Sequence, residues 1–293
     1  MSFEYQPIPS GADVFVQRDE PAETPAPAPD GDGAFWYPVF EGGSEIWQFS
    51  AGDDIRGAGT DGDVAVFGSN DNNGYAVDVS TGDELWQFPT GGTVFGAEID
   101  GDVAVFGSLD DNGYAVDVST GDELWQFPTG NFVRGAGIDG DVAVFGSGDG
   151  NGYAVDVATG DELWQFSTGS SVFAAGIGGD VAVFGSDDDN GYAVDVATGD
   201  ELWQFSAGDT VLGAGTDGDV AVFGSLDNNG YAVDVSTGDE LWQFSAGGSV
   251  EGAGIDGDVA VFGSDDGNGY AVDVPDGYDR PRISDGENWV SPQ

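Results

Sequence analysis

The chain has 293 residues, with 55 acidic side chains against five basic ones and a formal charge of −50. The five are Arg18, Arg56, Arg134, Arg280 and Arg282, too few to neutralise phosphates, which excludes a nucleic-acid surface and argues equally against an anionic membrane. The absence of cysteine and histidine excludes disulfides, thiolate and imidazole catalysis and the commonest zinc and copper ligands.

Charge of this density repels itself at low ionic strength and is tolerated where the Debye length falls to about 3 Å, near molar salt. The expectation is a salt-adapted protein of an extreme halophile. Disorder is the competing outcome for such a charge, but the dense Val, Phe, Tyr and Trp content supplies what a packed core needs.

In chain order, the first twenty residues, MSFEYQPIPSGADVFVQRDE, lack a basic region followed by an apolar stretch, and no run approaches 18 apolar residues. A cytoplasmic location is therefore expected. Glu20 to Gly33, EPAETPAPAPDGDG, is acidic and rich in Pro and Ala, a composition that stays extended. Residues 1–43 are assigned to a tail or linker.

From residue 44 to 274 the chain repeats itself every 39 residues, with Trp47, Trp86, Trp125, Trp164, Trp203 and Trp242 marking the period. A fixed period near 40, built from short apolar runs and Gly/Asp turns, is the signature of a repeat array. In the unit that starts at Val94, strands are predicted over 94–99, 103–106, 114–118 and 123–127. They are separated by the turns DGD, DDNG and STGD.

The Gly and Ala of the first strand suit a crowded position where backbones approach closely. The runs VAVF and YAV are apolar on consecutive residues, so both faces of each sheet are covered, as in radially packed blades. The predicted fold is an all-β propeller of six four-stranded blades. Six three-strand sets begin at Ile55, Val94, Val133, Val172, Val211 and Val250, but the fourth-strand segment Glu45 to Phe49, EIWQF, precedes them all. The last set ends at Val274 without one. Pairing residues 45–49 with 269–274 would complete the last blade and close the ring. Residues 275–293 form a C-terminal tail, and the aromatics of 35–40 and Trp289 are expected to cap the ring.

The stretch from Ala76 to Trp86, AVDVSTGDELW, follows A-x-D-x-x-T-G-x-x-x-W; it recurs in full from Ala115, Ala154, Ala193 and Ala232 and breaks in the sixth copy at Pro275. This resembles the tryptophan-docking motif of pyrroloquinoline quinone (PQQ) propeller repeats, over residues 44 to about 274. The resemblance implies that the tryptophan of one blade packs on the motif of the next. In quinone enzymes of that family, cofactor and calcium are held by residues that interrupt the repeat, often with an adjacent cysteine pair. Here the acids mostly recur as turn residues, the repeat tryptophans all stand at docking positions and cysteine is absent. No catalytic residue, cofactor or metal is assigned, and PQQ with calcium stays as the alternative.

Turns such as Ser186-Asp187-Asp188-Asp189-Asn190-Gly191 cluster carboxylates as calcium loops do. Yet Asp three before Gly and Asn one before it recur in all six, as a tight hairpin with a positive-φ glycine demands, and the bidentate Glu of a long calcium loop is missing. Differences among the repeats are more informative. The residue before the Gly/Ala-rich segment is Arg56, Phe95, Arg134, Phe173, Leu212 and Glu251 in turn. The preceding loops and the DDNG-type turns vary on the same predicted face. Arg and Phe are residue types that anchor interfaces. These six positions are the candidate binding residues, for a protein partner or an acidic ligand, on a monomeric, non-catalytic scaffold; drift at tolerant loop positions is the bland alternative.

Overall fold

The computed structural model of the chain describes residues 46–274 and, before them, strands at 4–7, 13–16 and 38–39. It divides into two compact units, 1–48 and 49–293. In the first, β1 (Glu4–Pro7) and β2 (Asp13–Val16) pair antiparallel and β3 (Pro38–Val39) joins β2 in parallel. This small sheet adds to the tail assigned from composition. The Pro/Ala-rich stretch 20–33, residue Glu45, and 275–293 with Trp289 lie outside the described residues.

In the second unit each 39-residue repeat becomes one antiparallel sheet. The strands are β4 (Ile55–Asp61), β5 (Val64–Ser69), β6 (Asn73–Asp78) and β7 (Glu84–Pro89), then β8 (Val94–Asp100), β9 (Val103–Ser108), β10 (Asn112–Asp117) and β11 (Glu123–Pro128). The third sheet holds β12 (Val133–Asp139), β13 (Val142–Ser147), β14 (Asn151–Asp156) and β15 (Glu162–Ser167). The fourth holds β16 (Val172–Gly178), β17 (Val181–Ser186), β18 (Asn190–Asp195) and β19 (Glu201–Ser206). The fifth comprises β20 (Val211–Thr216), β21 (Val220–Ser225), β22 (Asn229–Asp234) and β23 (Glu240–Ser245). The last has only β24 (Val250–Asp256), β25 (Val259–Ser264) and β26 (Gly269–Asp273). No helix among the described residues is long and apolar enough to cross a membrane.

Adjacent sheets stack face to face, and their shared interfaces are the core. Val66, Ala76 and Phe88 of the first sheet pack with Val94, Phe106, Tyr114 and Val116 of the second, and equivalent clusters fill the later junctions. The first strands of neighbouring sheets run closest together, which explains their Gly and Ala. A Cβ at Gly57 would collide with the carbonyl of Phe95, and one at Gly96 would stand 2.7 Å from the amide of Ala136.

The tryptophans lock the stack. Where β10 pairs with β11 the register shifts between Ala115 and Val116, leaving Leu124 of β11 as the extra residue, 47% exposed, while Trp125 turns toward the next sheet. Trp125 Nε1 donates to the carbonyl of Val157 at 2.7 Å, and its ring lies edge-on to Phe145. Its Cγ would be 2.7 Å from a Cβ on Gly160, which has φ +75 and therefore has two independent reasons to be glycine. Trp86, Trp164 and Trp203 dock in the same way on Val118, Val196 and Val235.

One expectation is corrected. The positive-φ residue of the hairpin between the second and third strands is not the glycine after Asn. It is the residue between Asp and Asn: Asn72, Asp111, Gly150, Asp189, Asn228 or Gly267. Asn and Asp tolerate that conformation, so only two of the six are glycine. Gly113 and its equivalents are instead kept small by packing, since a Cβ there would stand 2.7 Å from the Phe145 ring of the next sheet.

The last sheet has three strands, and residues 46–50 form no strand among the described residues. Val259 and Val261 of this sheet are 46% and 50% exposed, and at the other end Ile55 of β4 is 40% exposed.

Candidate functional site

All six candidate residues occupy one structural position, the second residue of the first strand. In every sheet that residue is skipped by the ladder: pairing jumps from Ile55 to Gly57, Val94 to Gly96, Val133 to Gly135, Val172 to Ala174, Val211 to Gly213 and Val250 to Gly252. Arg56, Phe95, Arg134, Phe173, Leu212 and Glu251 are thus the extra residues of six β-bulges. A bulge frees its extra residue from the pleat and re-aims its side chain, which is why bulges gather beside binding sites.

Four of the six come together. The Arg56 guanidinium lies 5.7 Å from the Phe95 ring centroid, and that of Arg134 lies 4.7 Å from Phe95 and 4.8 Å from Phe173. Phe173 continues the ladder by stacking on Phe132 at 6.1 Å and 5°. A cation over an aromatic face is worth about 0.5 to 2 kcal/mol, more as water is excluded.

The two arginines differ in their remaining partners. Arg56 Nε donates to Asn70 Oδ1 at 2.9 Å, and its Nη2 lies 3.6 Å from Asp54. Arg134 stands between two rings with no hydrogen bond or ion pair of its own among the described residues. Burial pulls its guanidinium below the ordinary range; the charge of Glu251 opposes that and the charge of Arg56 adds to it. It remains a cation, because arginine is not deprotonated in proteins. Glu251 is therefore near enough to be felt without being paired. Leu212 is half-buried and makes no ring or charge contact with this group among the described residues.

The acidic hairpin turns are engaged as hydrogen-bond acceptors. Asp110 takes the Tyr114 hydroxyl at 2.8 Å, the Gly91 amide at 2.6 Å and the Asn112 side chain at 3.1 Å, tying its hairpin to the loop that leads into the same sheet. On the opposite face, Asp61, Asp100 and Asp139 accept the amides of Gly101, Gly140 and Gly179 from the following sheet. Among the described residues no group of three or more Asp or Glu converges as a metal would need.

Two residues stand outside the six candidates. Phe132, one of the variable loop residues, extends the aromatic ladder, and its signal is the lone large side chain in loops that otherwise hold Asp, Asn, Gly, Ser and Thr. Glu98 breaks the period within the first strand, where the other sheets have Gly59, Gly137, Gly176, Gly215 and Gly254. Burial raises its carboxyl, only partly offset by the Ile99 amide. It rests against Gly59 of the preceding sheet.

The family described as outer membrane protein assembly factor BamB matches the chain twice, over residues 39–172 and 153–284. The chain belongs to this family. Among solved structures, the computationally designed Ika8 protein superposes with a TM-score of 0.66 at 20% identity, covering 75% of this chain and 70% of its own. The WD40 β-propeller domain of Doa1 gives a TM-score of 0.66 at 16% identity, covering 74% and 78%. No curated protein matches. The fold is that of a β-propeller repeat protein, as the docking motif implied.

Proposed function

We propose that this chain is a non-catalytic propeller scaffold that binds a partner through the bulged rim. The observation that carries this reading is the ladder Arg56–Phe95–Arg134–Phe173, built on consecutive sheets from positions that the pairing itself leaves free. Membership of a family described by an assembly factor supports a scaffolding role. In molar salt, the chain should capture a partner that Arg56→Ala with Arg134→Ala loses; equal capture by both would overturn the reading.

The ring is proposed to close as six blades, with residues 45–49 as the outer strand of the last. Phe49 packs on Phe67 at 5.7 Å and on Tyr75 at 5.1 Å. Phe88 packs on Phe106 and Tyr114 of its following sheet in the same two orientations, so Phe49 holds the place of a fourth-strand residue from a preceding blade. By analogy with the Ala232–Trp242 pair, Ala271 would face Trp47. Cysteines at these two positions of a cysteine-free chain should oxidise to a disulfide, and persistent free thiols would refute closure.

The quinone alternative is weakened by the donor set. The described arginines and aromatic rings of the rim lie beside no convergent carboxylates, so calcium has no cage there. Salt adaptation completes the proposal: loss of the β-sheet circular dichroism signal on dialysis into dilute buffer is expected, and an unchanged signal would count against it.

A further inference from the structure

Within a chain of 55 acidic residues, an arginine without a carboxylate partner needs an explanation. Arg134 is in that position, and its neighbours limit what can reach it. Its guanidinium lies over the rings of Phe95 and Phe173, 4.7 and 4.8 Å from their centroids, and its N–H groups meet no protein acceptor among the described residues. The fork of N–H groups on a guanidinium matches the two oxygens of a carboxylate in bidentate geometry. Glu251 lies across the rim on another sheet, outside ion-pair distance, and Asp54 is taken by Arg56.

The surroundings set the rest of the ligand. Phe95, Phe173 and the stacked Phe132 present apolar surface beside the guanidinium edge. Arg56 and Arg134 are the only cations among the described residues, so a polyanion would meet far more repulsion than attraction. A single negative charge on an apolar body meets neither difficulty.

Resting on the rim reading above, we propose that Arg134 anchors a site for a monocarboxylate with an apolar or aromatic body, clasped between Phe95 and Phe173. The shared chemistry has two sources, the free C-terminus of an apolar peptide and a free organic acid.

The test uses the full chain in molar KCl with N-acetyl-phenylalanine, its amide, the peptide acetyl-Gly-Ala-Phe with a free C-terminus, and benzoate, titrated by ligand-observed NMR. The acids should bind saturably, and the amide about tenfold more weakly or worse, as expected for loss of a charged hydrogen-bonded pair. Arg134→Gln should erase the preference for acid over amide. Arg134→Lys, which keeps the charge but not the planar fork, should lose most of it. Leu124→Gln, far out on β11, should keep it. Melting curves establish that each variant is folded. Tighter binding of the peptide acid than of benzoate assigns the source to a chain terminus, and the reverse assigns a free acid. Equal binding of acid and amide, a preference that survives Arg134→Gln, or no saturable binding of any acid would overturn the site. Partner capture lost in the double alanine variant without any carboxylate binding would leave the scaffold reading standing alone; carboxylate binding with unaffected capture would do the opposite.

Discussion

The strand VAVFGS occurs identically in the interior sheets and in the last one, and its environment differs on one face. In β17 all six residues are buried; in β25 every other residue is exposed, and Val261 is 50% exposed where Val183 is fully buried. A Cβ on Gly185 would meet Val211 of the next sheet at 2.8 Å, whereas one on Gly263 would meet nothing. The same sequence thus gains its burial from its neighbour. A sheet in this protein cannot bury its own two faces, and stability is a sum of junctions more than of sheets.

The largest test of that difference lies in the docking tryptophans. Trp125→Ala removes an indole ring, its packing on Gly160 and a 2.7 Å hydrogen bond, and should cost about 3 to 5 kcal/mol. Trp242, which belongs to the last junction, has a buried Nε1 without a hydrogen-bond partner among the described residues. Trp242→Ala should cost about 1 kcal/mol less, the worth of the absent bond. Equal losses in denaturant melts would mean that the terminal junction is as complete as the interior ones.

A second pair separates packing from backbone strain. Gly121 and Gly101 both have positive φ, +75 and +54, but a Cβ on Gly121 would strike the Trp86 ring at 2.7 Å while one on Gly101 meets nothing within 4 Å. Gly121→Ala should cost roughly 2 to 4 kcal/mol, adding overpacking to strain, and Gly101→Ala about 1 to 2 kcal/mol from strain alone. Similar values for both would remove the ring contact as a reason for the glycine.

Val105→Ala against Val261→Ala then addresses the opening comparison directly. Val105 is fully buried and its truncation should cost roughly 2 kcal/mol, against well under about 1 kcal/mol for the half-exposed Val261. Measured in the folded chain, that difference follows from the exposure of Val261, and a cost at Val261 as large as at Val105 would show that its open face is covered in solution.

What could be read beforehand follows from this. The period, the four strands per repeat, the crowded first strand and the docking tryptophans were legible because each is written six times, and a local rule repeated at fixed spacing leaves few alternatives. The location of the left-handed residue was not: an Asn-Gly pair favours glycine on statistics, while the choice between Asp111 and Gly113 was settled by the Phe145 ring of the next sheet. The proposed closure of the last sheet would rest on contacts between segments more than 200 residues apart, for which a local pattern carries no information. At the rim, the variable positions identified Arg56, Phe95, Arg134 and Phe173, but the bulge that gathers them is a property of the strand pairing. Glu98 is a single departure at a position that is glycine in the other five repeats, so the repeat pattern carries no signal for what it does there.

The smallest effect expected is in pH dependence, and it probes whether the hairpin clamps are equal along the stack. At Asp188, burial pushes the carboxyl up, but hydrogen bonds from Tyr192, Gly169, Asn190 and Ser186 together outweigh it and hold the group below its ordinary value. A folded value below the unfolded one means stability that is present above about pH 4 and is lost as the pH falls through the folded value. The last sheet's Asp266, held at about 2 chiefly by the Tyr270 hydroxyl, places its own part of that loss between about pH 4 and pH 2. The tyrosines work in the opposite sense: burial, with Asp149 beside it, raises Tyr153 to about 12, so its contribution is complete below about pH 10 and is lost as the pH rises toward 12. Melting temperature against pH at constant molar salt should therefore be level between these limits and fall outside them. Tyr192→Phe, which removes the 2.8 Å bond to Asp188, should lower the plateau by about 1 kcal/mol and flatten both limbs. Tyr270→Phe, on an exposed hairpin, should lower the plateau less; an equal loss would show that the end hairpin is clamped as firmly as those inside the stack.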